Sequence, residues 1–531
     1  MGPLKIAIIS NSQKLDKYTF NILKWIKENE NKFQLDHIII VNNQDYYLRN
    51  FKLAKTLKKI FFRIILLIEK IILNFYKLHK DHLNKFETKN LIKTTININE
   101  LKKKNRSYFS EKDIEKIKEE KFDIIIRACS NILSGEILKL PKYGILSFHH
   151  GDIENFRGSP AGFWEVYFKK DDTGFIIQQL NENLDAGKVL YRGFFQTKYF
   201  FLLNQAELYF KSNFFFKKIL IDIYNKNIKN DFKYQTLGDI YEIPKITKQL
   251  KYIYELIKKI TKKLFFRKTY WNICLINSKD NKTFIPQIKK DFFLADPFIF
   301  QKDNKSFCFA EEFNFKNNKG HIVCFEITNS QLLNKRKVLN EKFHLSFPYI
   351  FEFENNIYMC PETSSIDEIR LYIAKSFPHE WEYHSTIIKN IKSADSVIFE
   401  KNNYWWLITN KCYDNSNDFT HDLSIFYSRK GPLTMDWHEH KMNPVLTDSR
   451  RARNAGIFFD KNQNIIRVSQ KQGYDKYGKS VSFNIIKNIS PSEFEEEKVD
   501  FDFKKNISFS KNIRGIHHVC KIKDNIIFDF N

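Results

Sequence analysis

Tyr143 to Leu190 reads YGILSFHHGDIENFRGSPAGFWEVYFKKDDTGFIIQQLNENLDAGKVL. The opening run, YGILSF, is short, apolar and rich in β-formers, and it ends in His149. That pattern predicts a buried strand whose last residue reaches the open mouth of an α/β sheet, where such folds place their sites. Further on, the turn-like segment Asn181-Glu182-Asn183-Leu184-Asp185-Ala186-Gly187 presents a carboxylate. A histidine oriented or charged by an aspartate can shuttle protons during acyl transfer. In a long chain such a pair is more often structural, so the residues around it decide.

Toward the N-terminus the texture repeats. Lys5 to Ser10 (KIAIIS), Leu35 to Val41 (LDHIIIV) and Phe122 to Ile126 (FDIII) are three more apolar β-rich runs, with helical stretches between them. Short buried strands alternating with helices predict a mostly parallel, Rossmann-type sheet. No GxGxxG follows the first run, so a dinucleotide fingerprint is absent.

The flanking residues bring in a resemblance. Leu140-Pro141-Lys142-Tyr143-Gly144-Ile145, Arg157-Gly158-Ser159-Pro160, Phe163-Trp164, Thr173-Gly174 and Leu184-Asp185-Ala186-Gly187 agree in order and spacing with the formyltransferase family. That family includes methionyl-tRNA formyltransferase, glycinamide ribonucleotide transformylase and sugar N-formyltransferases. The resemblance spans roughly residues 5–220 and implies a formyltransferase-like α/β fold. It implies that His149 and Asp185 are the catalytic pair, that Leu184, Ala186 and Gly187 help to hold the cofactor, and that the formyl donor is N10-formyltetrahydrofolate. Two departures stand out. Ser147 occupies the place of the family's asparagine, whose amide donates to the formyl oxygen; a hydroxyl offers one donor and shorter reach. The residues after the histidine are also different, and they add His150 and Asp152 as polar groups on the substrate side. A different acceptor, a different reaction such as deformylation, or a decayed site would each fit these departures.

Residues 226–268 read as a basic helical connector that includes Ile246 to Phe265. After Tyr270 helical periodicity fades, and short aromatic β-branched runs alternate with Asn, Asp, Lys and Gly. A weak repeat emerges at Asp296-Pro297-Phe298, Phe347-Pro348-Tyr349, Asp395-Ser396-Val397 and Ala455-Gly456-Ile457, with a looser fifth at His517-His518-Val519. Starts separated by roughly 50–60 residues, each followed by further strand patterns, predict a five-bladed β-propeller over 269–531, a β-sandwich being the alternative. Asp296, Glu362 and Asp395 near one axis would suit sugar chemistry. Capping of strand turns is the competing account of the aspartates. Arg453, His517 and His518 read equally well as phosphate or sugar ligands and as satisfied structural groups. These segments resemble the five-bladed propellers of furanosidase-type glycoside hydrolases. They resemble more closely the N-terminal domain of plant glucosamine inositolphosphorylceramide transferases.

Composition bounds the rest. The chain has 531 residues, 43% of them hydrophobic, which calls for more than one packed core. Its seven cysteines are scattered with no CxxC pair, which argues against a disulfide framework and a zinc ribbon and predicts no metal site. The formal charge of +25 suits anionic sugar nucleotides and folate; no nucleic-acid partner is expected. A basic helical pattern over 53–83 either packs on the sheet or lies on an anionic membrane surface. The N-terminus lacks a signal-peptide pattern, and the expected location is cytoplasmic, or peripheral to the inner face of the membrane. Together these readings predict formyl transfer to an amino sugar, itself nucleotide-linked, in surface-glycan biosynthesis, with the propeller binding or processing a glycan. The rivals are a glycosidase or glycosyltransferase acting through the propeller carboxylates, and a non-catalytic glycan-binding protein. A methionyl-tRNA formyltransferase would carry a small tRNA-binding barrel in place of the blades.

Overall fold

The structure is a computed structural model describing residues 2–42, 53–183, 187–227, 238–265, 268–279, 282–501, 503 and 512–531. It divides into two compact units, Met1–Gly193 with Thr197–Leu264, and Phe194–Gln196 with Phe265–Asn531.

The first unit is a seven-stranded sheet. Its strands are β1 (Leu4–Ser10), β2 (Phe33–Asn42), β3 (Thr94–Asn99), β4 (Ile124–Arg127), β5 (Ile145–His149), β6 (Asp172–Gln179) and β7 (Lys188–Gln196), in the order β7-β6-β5-β4-β1-β2-β3. β1 pairs in parallel with β2 and β4, β2 with β3, and β4 with β5, while β6 runs antiparallel to β5. Ile6, Ile8 and Ile9 are fully buried, as expected of a parallel strand covered on both faces. The strand order reverses between β1 and β4. That switch point lies outside the carboxyl ends of the strands, where open α/β sheets form their crevice.

Helices α1 (Lys17–Glu28), α2 (Leu53–Leu73), α3 (Glu111–Glu119), α4 (Phe163–Tyr167), α5 (Phe201–Tyr224) and α6 (Ile246–Phe265) complete the unit. The basic pattern expected over 53–83 is helical only to Leu73. The residue before α5 is Phe200, which supplies no capping side chain. The free amides of that helix are met instead by Glu69 of α2, which accepts from Leu202 N at 2.7 Å and Phe201 N at 3.4 Å. Tyr252 of α6 donates to the same carboxylate and accepts from Phe201 N at 2.8 Å. Thus α6, expected as a connector, is part of the first unit: its Tyr252 helps to cap α5, and its buried Gln249 donates to Lys58 O at 3.1 Å.

The second unit is a five-bladed propeller. Blade 1 spans Phe292–Lys302 to Gln331–Leu339, blade 2 Ser346–Phe353 to Glu380–Lys389, blade 3 Ser393–Lys401 to His438–Glu439, and blade 4 Asn454–Phe459 to Phe494–Val499. Blade 5 draws strands from both ends, Val519–Ile522 and Asn525–Phe530 beside Asn272–Asn277 and Lys282–Phe284. Each innermost strand contacts the next, and that of blade 5 returns to blade 1, closing the ring. The five sheets are not hydrogen-bonded to one another, and the ring leaves only short, protected edges at the axis.

The sequence repeat marks one backbone device. In blades 1 to 4 the innermost strand carries a bulge, between Ala295 and Phe298, Ser346 and Tyr349, Ala394 and Val397, and Asn454 and Ile457. Asp296, Phe347, Asp395 and Gly456, within those bulges, have φ of 51°, 47°, 53° and 119°. Bulges re-aim side chains, and left-handed conformations at buried non-glycine residues mark sites where surrounding structure enforces strain. Gly456 has a steric reason as well: a Cβ there would lie 2.3 Å from Val519 O of blade 5.

Candidate functional site

Each unit carries a polar site. In the first, a cleft of about 590 Å³ opens at the switch point, lined by Ser10, Asn11, Ser12, Lys14, Lys85 and Ser130 among others. Tyr18, at its base, touches the rings of Phe148 and His150. Burial, with help from Asp16, pushes Tyr18 up to about 12, so it remains a phenol.

His149 ends β5 and is partly exposed. Gly151 lies against its ring: a Cβ there would be 3.3 Å from His149 Nε2 and 3.0 Å from Phe156 O. His150 is enclosed by Tyr209, Phe148 and Tyr18 and lies 3.3 Å from Ser212 Oγ. Burial, then the neighbouring His149, holds it well below the usual imidazole range. The structure therefore places His150 in packing. Asp152 is a loop anchor. It accepts from Asn155 Nδ2 at 2.5 Å and pairs with Arg192 at 2.7 Å, and Arg192 also holds Glu154.

Ser147 is buried on β5, and its hydroxyl donates to Phe148 O at 3.0 Å while accepting from Arg127 Nη1 at 3.2 Å. Its proton is thus committed to the main chain. Arg127, at the end of β4, is fixed by two bonds to Asn131 O, of 3.1 and 2.8 Å. Sequence reading passed over Arg127, and only its place one strand from Ser147 signals it. Leu184, Asp185 and Ala186 lie outside the described residues. Residues on either side of them are held in place. Glu182 accepts from Gly135 N at 2.8 Å, and a Cβ on Gly187 would meet Gln179 O at 2.5 Å and Gln178 Oε1 at 2.9 Å. Gln178 pairs across from Ser147, and its buried Oε1 has no hydrogen-bond partner among the described residues. A ligand N–H reaching it would supply the missing donor.

In the propeller, the carboxylates expected at blade starts come to one cluster. Asp296 and Asp395 sit in the buried bulges rather than at strand turns. Asp395 Oδ2 accepts from Arg453 Nε at 2.6 Å, and Arg453 Nη2 lies 3.8 Å from Glu362. The Arg453 guanidinium also stands over Tyr477, 5.0 Å from the ring centre. Asp296 Oδ1 lies 3.2 Å from His517 Nε2, whose Nδ1 is 3.0 Å from Asp529. Asp529 in turn accepts from the amides of Asp296, His517 and His518. His518 is fully buried against Phe298 and Phe347, with neither ring nitrogen partnered among the described residues.

The charges separate by environment. Burial alone would lower His517, but Asp529 and Asp296 on either side push it up to about 10. Burial tends to raise Asp296, yet the facing His517, then Arg453, holds it below the usual carboxylate range. Glu311, 3.6 Å from His344, is pushed well above that range by burial, then by Asp296 and Glu362. Burial holds His518 down to about 4, so it is neutral. Two neighbouring carboxyl groups whose surroundings push them in opposite directions are the arrangement acid–base chemistry needs. The ligand atoms of Asp296, His517 and Asp529 also lie within 4.8 Å of one another, all three residues buried.

Glu311, His344, Tyr477 and Asp529 were missed from sequence. The register gives a signal for the first. Glu311 pairs with Ala295 and Glu362 with Ser346, each the residue before a bulge, so the two glutamates are equivalent positions in blades 1 and 2.

Comparisons with known proteins follow the same division. Residues 76–196 match the formyl transferase family, and 284–523 match the N-terminal region of glucosamine inositolphosphorylceramide transferase 1. The chain thus joins a region similar to formyl transferases to a five-bladed propeller similar to that N-terminal region. Over 232 residues it is 31% identical to glucosamine inositolphosphorylceramide transferase 1 of Arabidopsis thaliana, covering 43% of this chain and 30% of that protein. Over 99 residues it is 36% identical to methionyl-tRNA formyltransferase of Prochlorococcus marinus, covering 18% and 28%. The matched stretches thus span less than a third of these relatives. Glycinamide ribonucleotide transformylase 1 from Symbiobacterium toebii superposes at a TM-score of 0.30 with 11% identity, over 45% of this chain and 95% of that one. No helix among the described residues is long and apolar enough to cross a membrane.

Proposed function

We propose that the first unit transfers a formyl group from N10-formyltetrahydrofolate to the amine of a nucleotide-linked amino sugar. The observation that carries this reading is His149 at the open end of β5, with Gly151 against its ring, inside the stretch that matches the formyl transferase family. In the reaction the amine attacks the formyl carbon, a C–N bond forms, the bond to N10 breaks, and the proton lost by the amine is returned to N10. His149 would donate an N–H to the developing oxyanion, and Asp185 would take the proton from the amine. With the Ser147 hydroxyl turned to Phe148 O, Arg127 is the nearer candidate for a second oxyanion donor. The folate supplies the formyl group; Gln178 and the backbone at Gly187 fit its hydrogen-bonding edge. The hydroxyls of Ser10, Ser12 and Ser130 with Lys14 and Lys85 suit the phosphates of a sugar nucleotide.

A second reading rests on the propeller cluster, where Asp296 is held below the usual carboxylate range and Glu311 pushed above it: glycan processing, with the first unit decayed. The test is a mass-shift assay with N10-formyltetrahydrofolate and a panel of amino-sugar nucleotides. One product should gain a formyl group, and His149→Ala and Asp185→Asn should each slow it at least ~10²-fold. No transfer to any sugar, together with a glycan-cleaving or glycan-transferring activity lost in Asp296→Asn, would reverse the assignment.

A further inference from the structure

Helix α2 is apolar on two opposite faces, and the fold uses one of them. Phe62, Ile65, Glu69 and Leu73 are buried, Phe62 against Phe163 and Phe201, and Glu69 at the head of α5. Leu57, Ile60, Ile64, Leu67, Ile68 and Ile71 point the other way, each between 47% and 65% exposed. At helical periodicity these six fall within an arc of about 100°, forming a stripe ~20 Å long. Soluble surfaces rarely leave so continuous an aliphatic stripe without a use.

The charges beside the stripe name its occupant. Lys59, Arg63 and Lys70 are exposed along one side of it. The only acidic residue of α2 is Glu69, which is buried under α5, so the open face carries no negative charge. The neighbouring α6 repeats the composition: Leu250, Tyr254, Ile257 and Leu264 are exposed, as are Lys251, Lys258 and Lys262, and its one acid, Glu255, is paired with Lys169. A second copy of this chain would bring like charges together, whereas a layer of anionic headgroups is complementary to them. We propose that the open face of α2 docks the first unit onto an anionic lipid surface. The helix lies in the headgroup plane, its aliphatic stripe reaches the acyl boundary, and its basic residues contact lipid phosphates.

The test is flotation of the full chain with phosphatidylcholine vesicles and with vesicles containing about 30% phosphatidylserine, enough to set up a negative surface potential. The chain should float with the anionic vesicles and not with the neutral ones. Leu67→Ser with Ile71→Ser, which leaves the net charge unchanged and alters only exposed side chains, should reduce flotation at least tenfold. Arg63→Glu with Lys70→Glu should do the same, each variant keeping the wild-type circular dichroism spectrum. Flotation that survives the serine pair would mean adsorption through overall positive charge and would overturn the proposal. So would no flotation at all, or a dimer in light scattering that the serine pair dissociates.

Discussion

Glu69 lies fully buried at the head of α5, where it accepts the amides of Phe201 and Leu202 and the hydroxyl of Tyr252. Burial raises it from 4.5 to about 7, against the lowering effect of those three bonds. The folded chain therefore binds this proton more tightly than the unfolded chain. The associated stability is fully present below about pH 4.5 and is lost as pH rises through about 7. A shift of that size corresponds to about 3 kcal/mol. Replacing Glu69 by glutamine removes the titration and leaves one acceptor oxygen where there were two, a loss of about 1 kcal/mol. The two effects oppose each other, so the variant should change sign with pH. At about pH 4 it should be the less stable protein, by ~1 kcal/mol, and at about pH 8 the more stable, by ~2 kcal/mol. Hydrogen exchange followed by mass spectrometry on peptides covering the start of α5, corrected for intrinsic rates, reads this unit separately from the propeller. Glu165 is also raised to about 7, by burial and then Asp152 and Asp172, and gives both proteins a shared slope, so the difference between them is the quantity to compare. Equal pH slopes in the two proteins, or a variant less protected at both pH values, would refute the reasoning.

Two further outcomes follow from pairs of groups. Arg467 of blade 4 is fully buried, bonded to Glu496 at 2.8 and 2.7 Å and to the carbonyls of Arg451 and Ala452 beside Arg453. Glu496→Gln should cost the propeller about 3–5 kcal/mol in urea unfolding, because it strands a buried charge, while Arg467→Met with Glu496→Leu should cost much less. In the first unit, Arg127→Ala should slow formyl transfer by ~10²–10³, the loss expected for an oxyanion donor, while Ser147→Ala should change it little; the reverse order would return the role to the serine hydroxyl.

The first domain was legible because its signals are local. Buried parallel strands are continuous apolar runs, and the segment from Leu140 to Gly187 keeps its order whatever surrounds it. What escaped was tertiary. The cap of α5 comes from Glu69, far upstream in the chain, and from Tyr252 downstream, so no window around Phe200 could show it. For the same reason Ile246 to Phe265 read as a spacer: its buried residues include the polar Gln249 and Tyr252, and its exposed ones include Leu250 and Ile257, the inverse of the usual pattern.

The propeller shows the converse. Its repeat was weak in sequence because what recurs is a backbone conformation that different residues can adopt. Asp296, Phe347, Asp395 and Gly456 share positive φ within equivalent bulges, yet no one side chain is common to all four. Once the bulge fixes the frame, its flanking residue pairs with Glu311 in blade 1, Glu362 in blade 2 and Asn410 in blade 3. Asn410 donates its side-chain amide to Asp422 O and Ala452 O and accepts from Asn454 N, so at this position blade 3 holds the chain together. Blades 1 and 2 keep an acid there instead, and neither Glu311 nor Glu362 is tied into the backbone in that way. Four equivalent frames need only a structural residue at this point. Acids at two of them, with the bulge aspartates Asp296 and Asp395, gather carboxylates on the two inner strands of blades 1 to 3.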